Sequence, residues 1–383
     1  MNIFLFVIGA AIVYGLQLIC CKLIWNRNLS ANVVFSERQV KEGDNANLTV
    51  TVENRKVFSV LTVKVNMGID RGLEFQDKSN LAISDRNYRS EIFSMKGYER
   101  VQREIPLFCA KRGYYQVQEV DFVGNDLFYT HRFLMNQEVN TSLCVYPGKS
   151  DARQLMLATQ KMMGETVVRQ SDCTDPFTFR GIREYQNYDN VRDINWKASA
   201  RVGDLRVNIH DFTADQEIAI VLDTEWDTLV RPEGLLEESI RIAASMAEEF
   251  IAHGILTSLR SNGLDCISGE MFSIDAGANE NHNNAIGYGL ARIRLITDKE
   301  LKCSSILPIL EEETERMDAQ PNRKISWVFI STETNARVIN QWNALRERAI
   351  KSYWIIPAYS SNEIPLELMN SPEVMYWEVP YGK

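Results

Sequence analysis

The spacing of apolar residues changes near residue 150, and this change constrains the fold more than any other feature of the sequence. Before it, Leu48, Val50 and Val52 alternate with polar residues, and Leu61–Met67 repeats the alternation. Such period-2 patterning is typical of half-buried antiparallel strands. Residues 30–150 show no long helical period. We therefore expect this part of the chain to form a small β-sandwich.

After residue 150, apolar strands alternate with segments of helical spacing. Strands are predicted at Glu217–Asp223 (EIAIVLD), Lys324–Ile330 (KISWVFI) and Trp354–Ala358 (WIIPA), and a helix at residues 234–253. This alternation predicts a parallel sheet with helices on both faces, whose ligands bind at the carboxyl ends of the strands. We expect a Rossmann-type α/β domain with Asp223 at such a strand end.

The chain opens on an apolar run. Ile3–Cys21 (IFLFVIGAAIVYGLQLICC) contains only Tyr14 and Gln17 as polar residues. As a helix it would span about 28 Å, close to the thickness of a hydrocarbon core. A secretory signal would need a basic residue before the run and small residues at a cleavage site after it, and neither is present. The sequence favours an uncleaved transmembrane helix over a signal peptide.

Charge gives the orientation of this anchor. Lys22 and Arg27 follow the apolar run, and by the positive-inside rule they place the body of a single-pass protein of the cell membrane on the cytoplasmic side. The chain has a net charge of −9, which argues against nucleic acid as a partner. We divide it into an anchor (1–27), a β-sandwich (28–150) and an α/β domain (151–383).

A distinctive motif lies between the two predicted domains, in residues 175–206 (DPFTFRGIREYQNYDNVRDINWKASARVGDLR). Its characteristic residues are Arg183-Glu184-Tyr185, Asp189, Arg192, Trp196-Lys197, Ser199-Ala200-Arg201 and Leu205. Their order and spacing resemble the signature of the domain-of-unknown-function-58 family, bacterial proteins with a von Willebrand factor A-like domain. Tyr188 and Asn195 stand where the family pattern has Gly and Asp, and one membrane segment stands where many relatives have two.

The resemblance implies a von Willebrand factor A-like α/β head, a β-sandwich stalk and a membrane anchor. It further implies a non-enzymatic adaptor or scaffold that works with MoxR-type AAA+ ATPases in the assembly or maturation of other proteins. The candidate interaction residues are Arg180, Arg183, Glu184, Tyr185, Asp189, Arg192, Trp196, Lys197, Ser199 and Arg201.

The charges of this motif admit two interpretations. They can form an internal ion-pair network around a packed Trp196, or a face that docks an acidic partner surface. We expect Trp196 to be buried, and Arg183 or Arg192 to pair with Glu184 or Asp189.

The predicted strand end at Asp223 is a degenerate cation site. Von Willebrand factor A domains can hold a divalent cation at a D-x-S-x-S loop, and the matching segment here is Asp223-Thr224-Glu225-Trp226-Asp227. Acids replace both serines, and the later strand is followed by Ser331-Thr332-Glu333. Asp223, Glu225 and Asp227 could bind Mg²⁺ or Ca²⁺, or form a solvated acidic loop, and we expect weak or absent binding. The alternative function is a cation-dependent, MIDAS-like, extracytoplasmic binding module.

Catalytic motifs are absent from the sequence. The four histidines have no metal-pair spacing, and no G-x-S-x-G, Walker A or G-x-G-x-x-G pattern occurs. We expect a protein that is not an enzyme and that needs no cofactor.

Overall fold

The computed structural model describes residues 2–25, 27–77, 79–126, 128–170, 174–185, 194–212, 216–226, 233–295, 305–319, 324–349, 351–359, 368 and 371–381. The chain divides into two compact units, each described by itself below. The first comprises Met1–Gly148 and Leu290–Arg292, and the second comprises Lys149–Gly289 and Ile293–Lys383.

The first unit begins with helix α1 (Asn2–Ile24) and continues as strands. These are β1 (Leu29–Phe35), β2 (Gln39–Lys41), β3 (Asn45–Asn54), β4 (Val60–Ile69), β5 (Leu73–Phe75), β6 (Leu81–Ile83), β7 (Asn87–Met95), β8 (Arg100–Cys109), β9 (Gly113–Asn125) and β10 (Arg132–Tyr146). One sheet has the order β1-β3-β8-β5 and the other the order β2-β10-β9-β4-β7-β6.

The alternating residues of the sequence form the core of this unit. Leu48, Val50 and Val52 of β3 and Val63 and Val65 of β4 are fully buried in one apolar cluster. Because successive strand residues point to opposite faces, alternation buries one face of each sheet against the other. The predicted β-sandwich is thereby confirmed.

None of the helices that the structure describes combines the length with the apolarity that a complete membrane crossing requires.

In the part of the second unit that the structure describes, helices alternate with strands. Its elements are α2 (Ala152–Gln170), β11 (Thr174–Glu184), α3 (Trp196–Val202), β12 (Arg206–Phe212), β13 (Gln216–Leu222), α4 (Glu233–Ala252), β14 (Leu256–Asp265), β15 (Met271–Gly277), α5 (Glu280–Arg292), β16 (Ile293–Arg294), α6 (Leu307–Ala319), β17 (Lys324–Ile330), α7 (Ala336–Arg348), β18 (Lys351–Ala358) and β19 (Val374–Glu378). The main sheet has the order β15-β14-β13-β17-β18-β19.

This sheet confirms the predicted α/β architecture. Strands β14, β13, β17, β18 and β19 are mutually parallel, whereas β15 and the short β16 pair antiparallel with β14. Helix α7 buries Trp342, whose ring lies 5.3 Å from that of Trp354 on β18. Strand β13 lies between β14 and β17, so its carboxyl end is flanked by two neighbouring strand ends.

Candidate functional site

Three polar residues meet at the carboxyl end of the central strand β13. Leu222 is in register with Ser261 of β14 and with Ile330 of β17. The next residue along each chain segment is therefore at the same level of the sheet, and these residues are Asp223, Asn262 and Ser331. All three are almost completely buried, with Asp223 1% exposed.

The carboxylate of Asp223 accepts three hydrogen bonds from protein groups. Oδ1 accepts from the backbone N–H of Glu225 (2.9 Å) and from Nδ2 of Asn262 (2.7 Å). Oδ2 accepts from the hydroxyl of Ser331 (2.7 Å). The carboxylate thus ties β13 to both neighbouring strands.

Burial dominates the ionisation of this group. Removal from water raises the pKa of Asp223 to about 7, although the donors Ser331, Glu225 N–H and Asn262 each act to lower it. The nearby charge of Glu225 adds to the increase. A buried carboxyl group with a pKa near neutrality does not carry a permanent negative charge at physiological pH.

The network extends to the residues around Asp223. Oδ1 of Asn262 accepts from the backbone N–H (2.8 Å) and the hydroxyl (3.0 Å) of Thr224. The hydroxyl of Ser331 accepts from the backbone N–H of Glu333 (3.0 Å). Oε2 of Glu225 accepts from the backbone N–H of Ile306 (3.1 Å). Side-chain hydrogen bonds therefore hold both the segment that follows β13 and the segment that follows β17.

This arrangement fits a divalent cation poorly. A hard cation needs several oxygen ligands facing one point, whereas Asp223 faces N–H and O–H donors and Glu225 faces the N–H of Ile306. Among the described residues, no group of three His, Cys, Asp or Glu side chains is placed to hold a metal ion. Asp227 lies outside the described residues. The sequence identified Asp223 and Glu225 as candidates but not Asn262, which is the hydrogen-bond partner of Asp223.

The motif of residues 175–206 is built around the β11–β12 hairpin. Glu184 and Arg206 are cross-strand partners and form an ion pair of 3.2 Å. The backbone N–H of Tyr185 donates to the carbonyl of Leu205 (3.0 Å). Arg206 was missed by sequence reasoning, since the pairing register that places it opposite Glu184 is not visible in the sequence.

Helix α3 is fastened to this hairpin through Ser199. Its hydroxyl donates to the carbonyl of Asn195 (2.8 Å) and accepts from the backbone N–H of Arg206 (2.8 Å). Asn195 caps the helix, because its Oδ1 accepts from the N–H of Ala198 (2.9 Å). Gly203 ends the helix with a φ of +88°, a conformation that favours glycine. Asn195 thus serves as the helix N-cap.

The expected burial of Trp196 is wrong. Its side chain is 65% exposed. Trp196 is the first residue of the seven-residue α3, and the contact of this helix with β12 is made by the small Ser199. Lys197 and Arg201 are exposed as well. Asp189 and Arg192 lie outside the described residues, as do the side chains of Arg180 and Arg183, so the expected arginine pairing stays a prediction.

Further apolar side chains of the motif share this exposure. Ile182 on β11, Val202 on α3 and Leu205 before β12 are between 41% and 56% exposed. We call the set Ile182, Trp196, Lys197, Arg201, Val202 and Leu205 the signature surface. Ile182 and Val202 were missed by sequence reasoning, because exposure within a short hairpin depends on strand register and helix length.

The comparisons with known proteins show limited similarity. A non-cellulosomal cohesin from the hyperthermophilic archaeon Archaeoglobus fulgidus is 10% identical and matches 30% of this chain and 91% of its own, with a TM-score of 0.20. A CARDB domain from Pyrococcus furiosus, in complex with di-metal ions, is 14% identical over 30% of this chain and 93% of its own, with a TM-score of 0.21. No family model matches the sequence. No curated protein matches it either.

Proposed function

We propose that this chain is a membrane-anchored, non-enzymatic adaptor that docks a protein partner through the signature surface. The observation that carries the proposal is the 65% exposure of Trp196. A tryptophan in water is energetically unfavourable, and interfaces are enriched in Trp and Arg, which dominate binding energy when they become buried. Ile182, Val202 and Leu205 of the same motif are exposed as well, and exposed large apolar side chains are candidates for an interaction site.

Helix α3 is held in a fixed position against β12, as a preformed docking element would be. Ser199, the N-cap Asn195 and the C-cap Gly203 hold the helix against β12. A surface that is already ordered loses little conformational entropy on binding. Trp196 and Arg201 would therefore be presented to a partner at a defined spacing.

Charge on the signature surface favours an acidic partner. Lys197 and Arg201 are exposed beside Trp196, within a chain whose net charge is −9. A local basic face on an acidic protein orients a complementary partner and raises the association rate. Asp204 lies in the same segment, so this segment carries an excess of basic residues together with one acidic residue.

The identity of the partner comes from the resemblance of residues 175–206 to the domain-of-unknown-function-58 family. That resemblance implies a MoxR-type AAA+ ATPase and a role in assembly or maturation of other proteins. It also implies that the α/β unit is a von Willebrand factor A-like head. The parallel sheet and the position of Asp223 at the end of its central strand are compatible with such a head.

Residues 3–21 are proposed to hold the chain in the cell membrane, with the body in the cytoplasm. Helix α1 carries no charged residue before Lys22. Large apolar side chains on it, including Phe4, Phe6 and Val13, are at least 66% exposed. Burial in a hydrocarbon phase removes this surface from water.

Protease accessibility tests the proposed orientation. Protease added to intact cells is expected to leave the body uncut, because Lys22 and Arg27 place it on the cytoplasmic side. Cells permeabilised before digestion provide the control, in which the body should be cleaved. Cleavage without permeabilisation would overturn the cytoplasmic assignment and favour the extracytoplasmic alternative.

A cation-dependent binding module is the competing function. Asp223, Glu225 and Asp227 supply three carboxylates for it. The hydrogen bonds that Asp223 accepts from Ser331 and Asn262 favour a structural network over this alternative. Its extracytoplasmic placement and its metal requirement both distinguish it experimentally from the adaptor.

Substitution of Trp196 tests the docking proposal. Trp196→Ser is expected to change the free energy of unfolding by no more than about 0.5 kcal/mol, as surface substitutions usually do, while weakening partner binding. Thermal unfolding measures the first effect and co-purification the second. Ile267→Ser, at an apolar side chain 56% exposed elsewhere in the same unit, is the matched control and should bind normally. Early melting of Trp196→Ser would instead assign the residue a structural role.

A further inference from the structure

Three loops of the sandwich lie at the same end as the carboxyl end of α1. They connect β3 to β4 (residues 55–59), β7 to β8 (96–99) and β9 to β10 (126–131). Contacts confirm the placement: Lys56 Nζ donates to the carbonyl of Trp25 (2.7 Å), and the N–H of Tyr98 donates to the carbonyl of Lys56 (2.9 Å). We call this the anchor end.

The anchor end exposes large apolar side chains from every one of these loops. The following side chains are each at least 62% exposed: Val57, Phe58, Tyr98, Phe128, Tyr129 and Leu134. A folded protein in water does not usually gather such side chains in one place. Aromatic residues with one polar atom, such as Tyr98 and Tyr129, are typical of a membrane interface.

The β9–β10 hairpin lies along α1. The rings of Trp25 and Phe133 are 5.8 Å apart. Nearer the amino end of the helix, the rings of Tyr14 and Phe128 are 5.9 Å apart, and the hydroxyls of Tyr14 and Thr130 form a hydrogen bond of 2.7 Å. From Trp25 to Tyr14 the helix rises about 16 Å. A membrane that contains Tyr14 must therefore also contain the tip of the hairpin.

Several polar groups of the tip, among its described residues, are satisfied internally. The carboxylate of Asp126, 2% exposed, accepts from the backbone N–H of His131 (2.8 Å) and the hydroxyl of Thr130 (2.8 Å). The N–H of Asp126 donates to the carbonyl of His131 (3.2 Å), and the N–H of Tyr129 donates to the carbonyl of Asp126 (3.1 Å). Such internal hydrogen bonds are needed in a bilayer, because no water is present there to pair with the backbone groups of a turn.

Charge at the anchor end complements an anionic surface. Residues 22–28, 53–60, 95–100 and 125–132 contain seven Lys or Arg and three Asp or Glu. Six of the basic residues are exposed: Lys22, Arg27, Arg55, Lys96, Arg100 and Arg132. Basic residues beside a membrane helix are attracted to anionic headgroups. This excess is notable in a chain of net charge −9.

We infer that the anchor end is a second membrane-binding surface, in which the hairpin tip inserts Phe128 and Tyr129 into the bilayer beside α1 and the basic residues bind anionic headgroups. The inference rests on the proposed insertion of α1. It adds a physical consequence: the sandwich is held against the membrane at two points, which restricts its tilt. A protein partner covering the same side chains is the competing occupant.

Photo-crosslinking of the full-length chain tests this surface. The protein is reconstituted in vesicles of equal parts phosphatidylcholine and phosphatidylglycerol, with a benzophenone amino acid replacing Tyr129, Phe4 or Ile83. Ile83 is the matched control, since it is 69% exposed and lies at the opposite end of the sandwich. We expect lipid adducts at positions 129 and 4, and no lipid adduct at position 83.

Each result is decisive. Adducts at position 4 without adducts at position 129 would overturn the inference and leave the proposed anchor intact. Absence of lipid adducts at both positions would overturn the anchor and the inference together. Adducts between position 129 and a second protein chain, formed in native membranes in place of lipid adducts, would identify a protein occupant and also overturn the inference.

Discussion

Arg260→Met is expected to destabilise the α/β unit by about 3–5 kcal/mol, since it removes the partner of a buried charge. Arg260 on β14 contacts Glu313 of α6 through its Nε, and the side chain of Glu313 is 2% exposed. Burial raises the pKa of Glu313, against the lowering effect of Arg260 and Arg316. Without Arg260, the carboxylate must either remain buried with weaker compensation from Arg316 or take up a proton.

Chemical denaturation measures this effect, and two variants control it. Arg348→Met breaks an ion pair with Asp318, whose side chain is 58% exposed, and should change stability by less than about 1 kcal/mol. The double variant Arg260→Met/Glu313→Leu should recover most of the loss, because an apolar pair can replace a buried ion pair. A double variant as unstable as the single one would contradict this explanation.

Asp223→Asn is expected to remove a pH dependence of stability of up to about 4 kcal/mol, the equivalent of a pKa shift of about three units. The pKa of Asp223 rises from 3.8 to about 7 through burial. Between these values the folded chain retains a proton that the unfolded chain releases. Asp223 therefore makes stability fall as the pH rises from about 4 to about 7.

Asparagine can occupy this position with its hydrogen bonds retained. Its Oδ1 can accept from Asn262 and the N–H of Glu225, and its Nδ2 can donate to Ser331. The unfolding free energy of both proteins is measured at pH 5 and at pH 8. All other groups titrate alike in the two proteins, so the change in their difference between the two pH values reports the ionisation of Asp223 alone. An equal pH dependence in both would contradict the prediction.

The same unfolding experiment reports on the cation site. A ligand that binds only the folded state stabilises it by mass action. Added Mg²⁺ is expected to leave the unfolding midpoint of both proteins unchanged, since Asp223 and Glu225 are engaged by protein donors. Stabilisation by Mg²⁺ of the natural protein alone would support the cation-dependent function.

The sheet of the α/β unit was predictable because its strands are continuous apolar runs. Asp223 was placed correctly for the same reason: a polar residue that directly follows such a run lies at a strand end. Asn262 was not predicted, because β14 continues to Asp265 through Ser261-Asn262-Gly263, residues that locally favour a turn. Glycine is favoured at position 263 because a Cβ there would lie only 2.5 Å from a side-chain carbon of Ile293.

Helix α2 and the exposure of Trp196 were not predictable from local pattern. In α2, Leu155, Met156 and Leu157 are consecutive, which obscures helical periodicity. Trp196 was expected to be buried on the basis of residue type alone, yet helix length and the contacts of Ser199 decide which side chain faces β12. Which side chains of these helices are buried depends on contacts with residues that are distant in the sequence.

Affinity capture of the full-length chain from solubilised native membranes, with and without ATP, tests the docking function most directly. The account predicts that a AAA+ ATPase co-purifies with the natural protein in a nucleotide-dependent manner. It also predicts that Trp196→Ser, with an unchanged unfolding midpoint, loses this partner while Ile267→Ser retains it. Equal recovery of the same proteins by all three chains would contradict the assignment of the signature surface as the docking site.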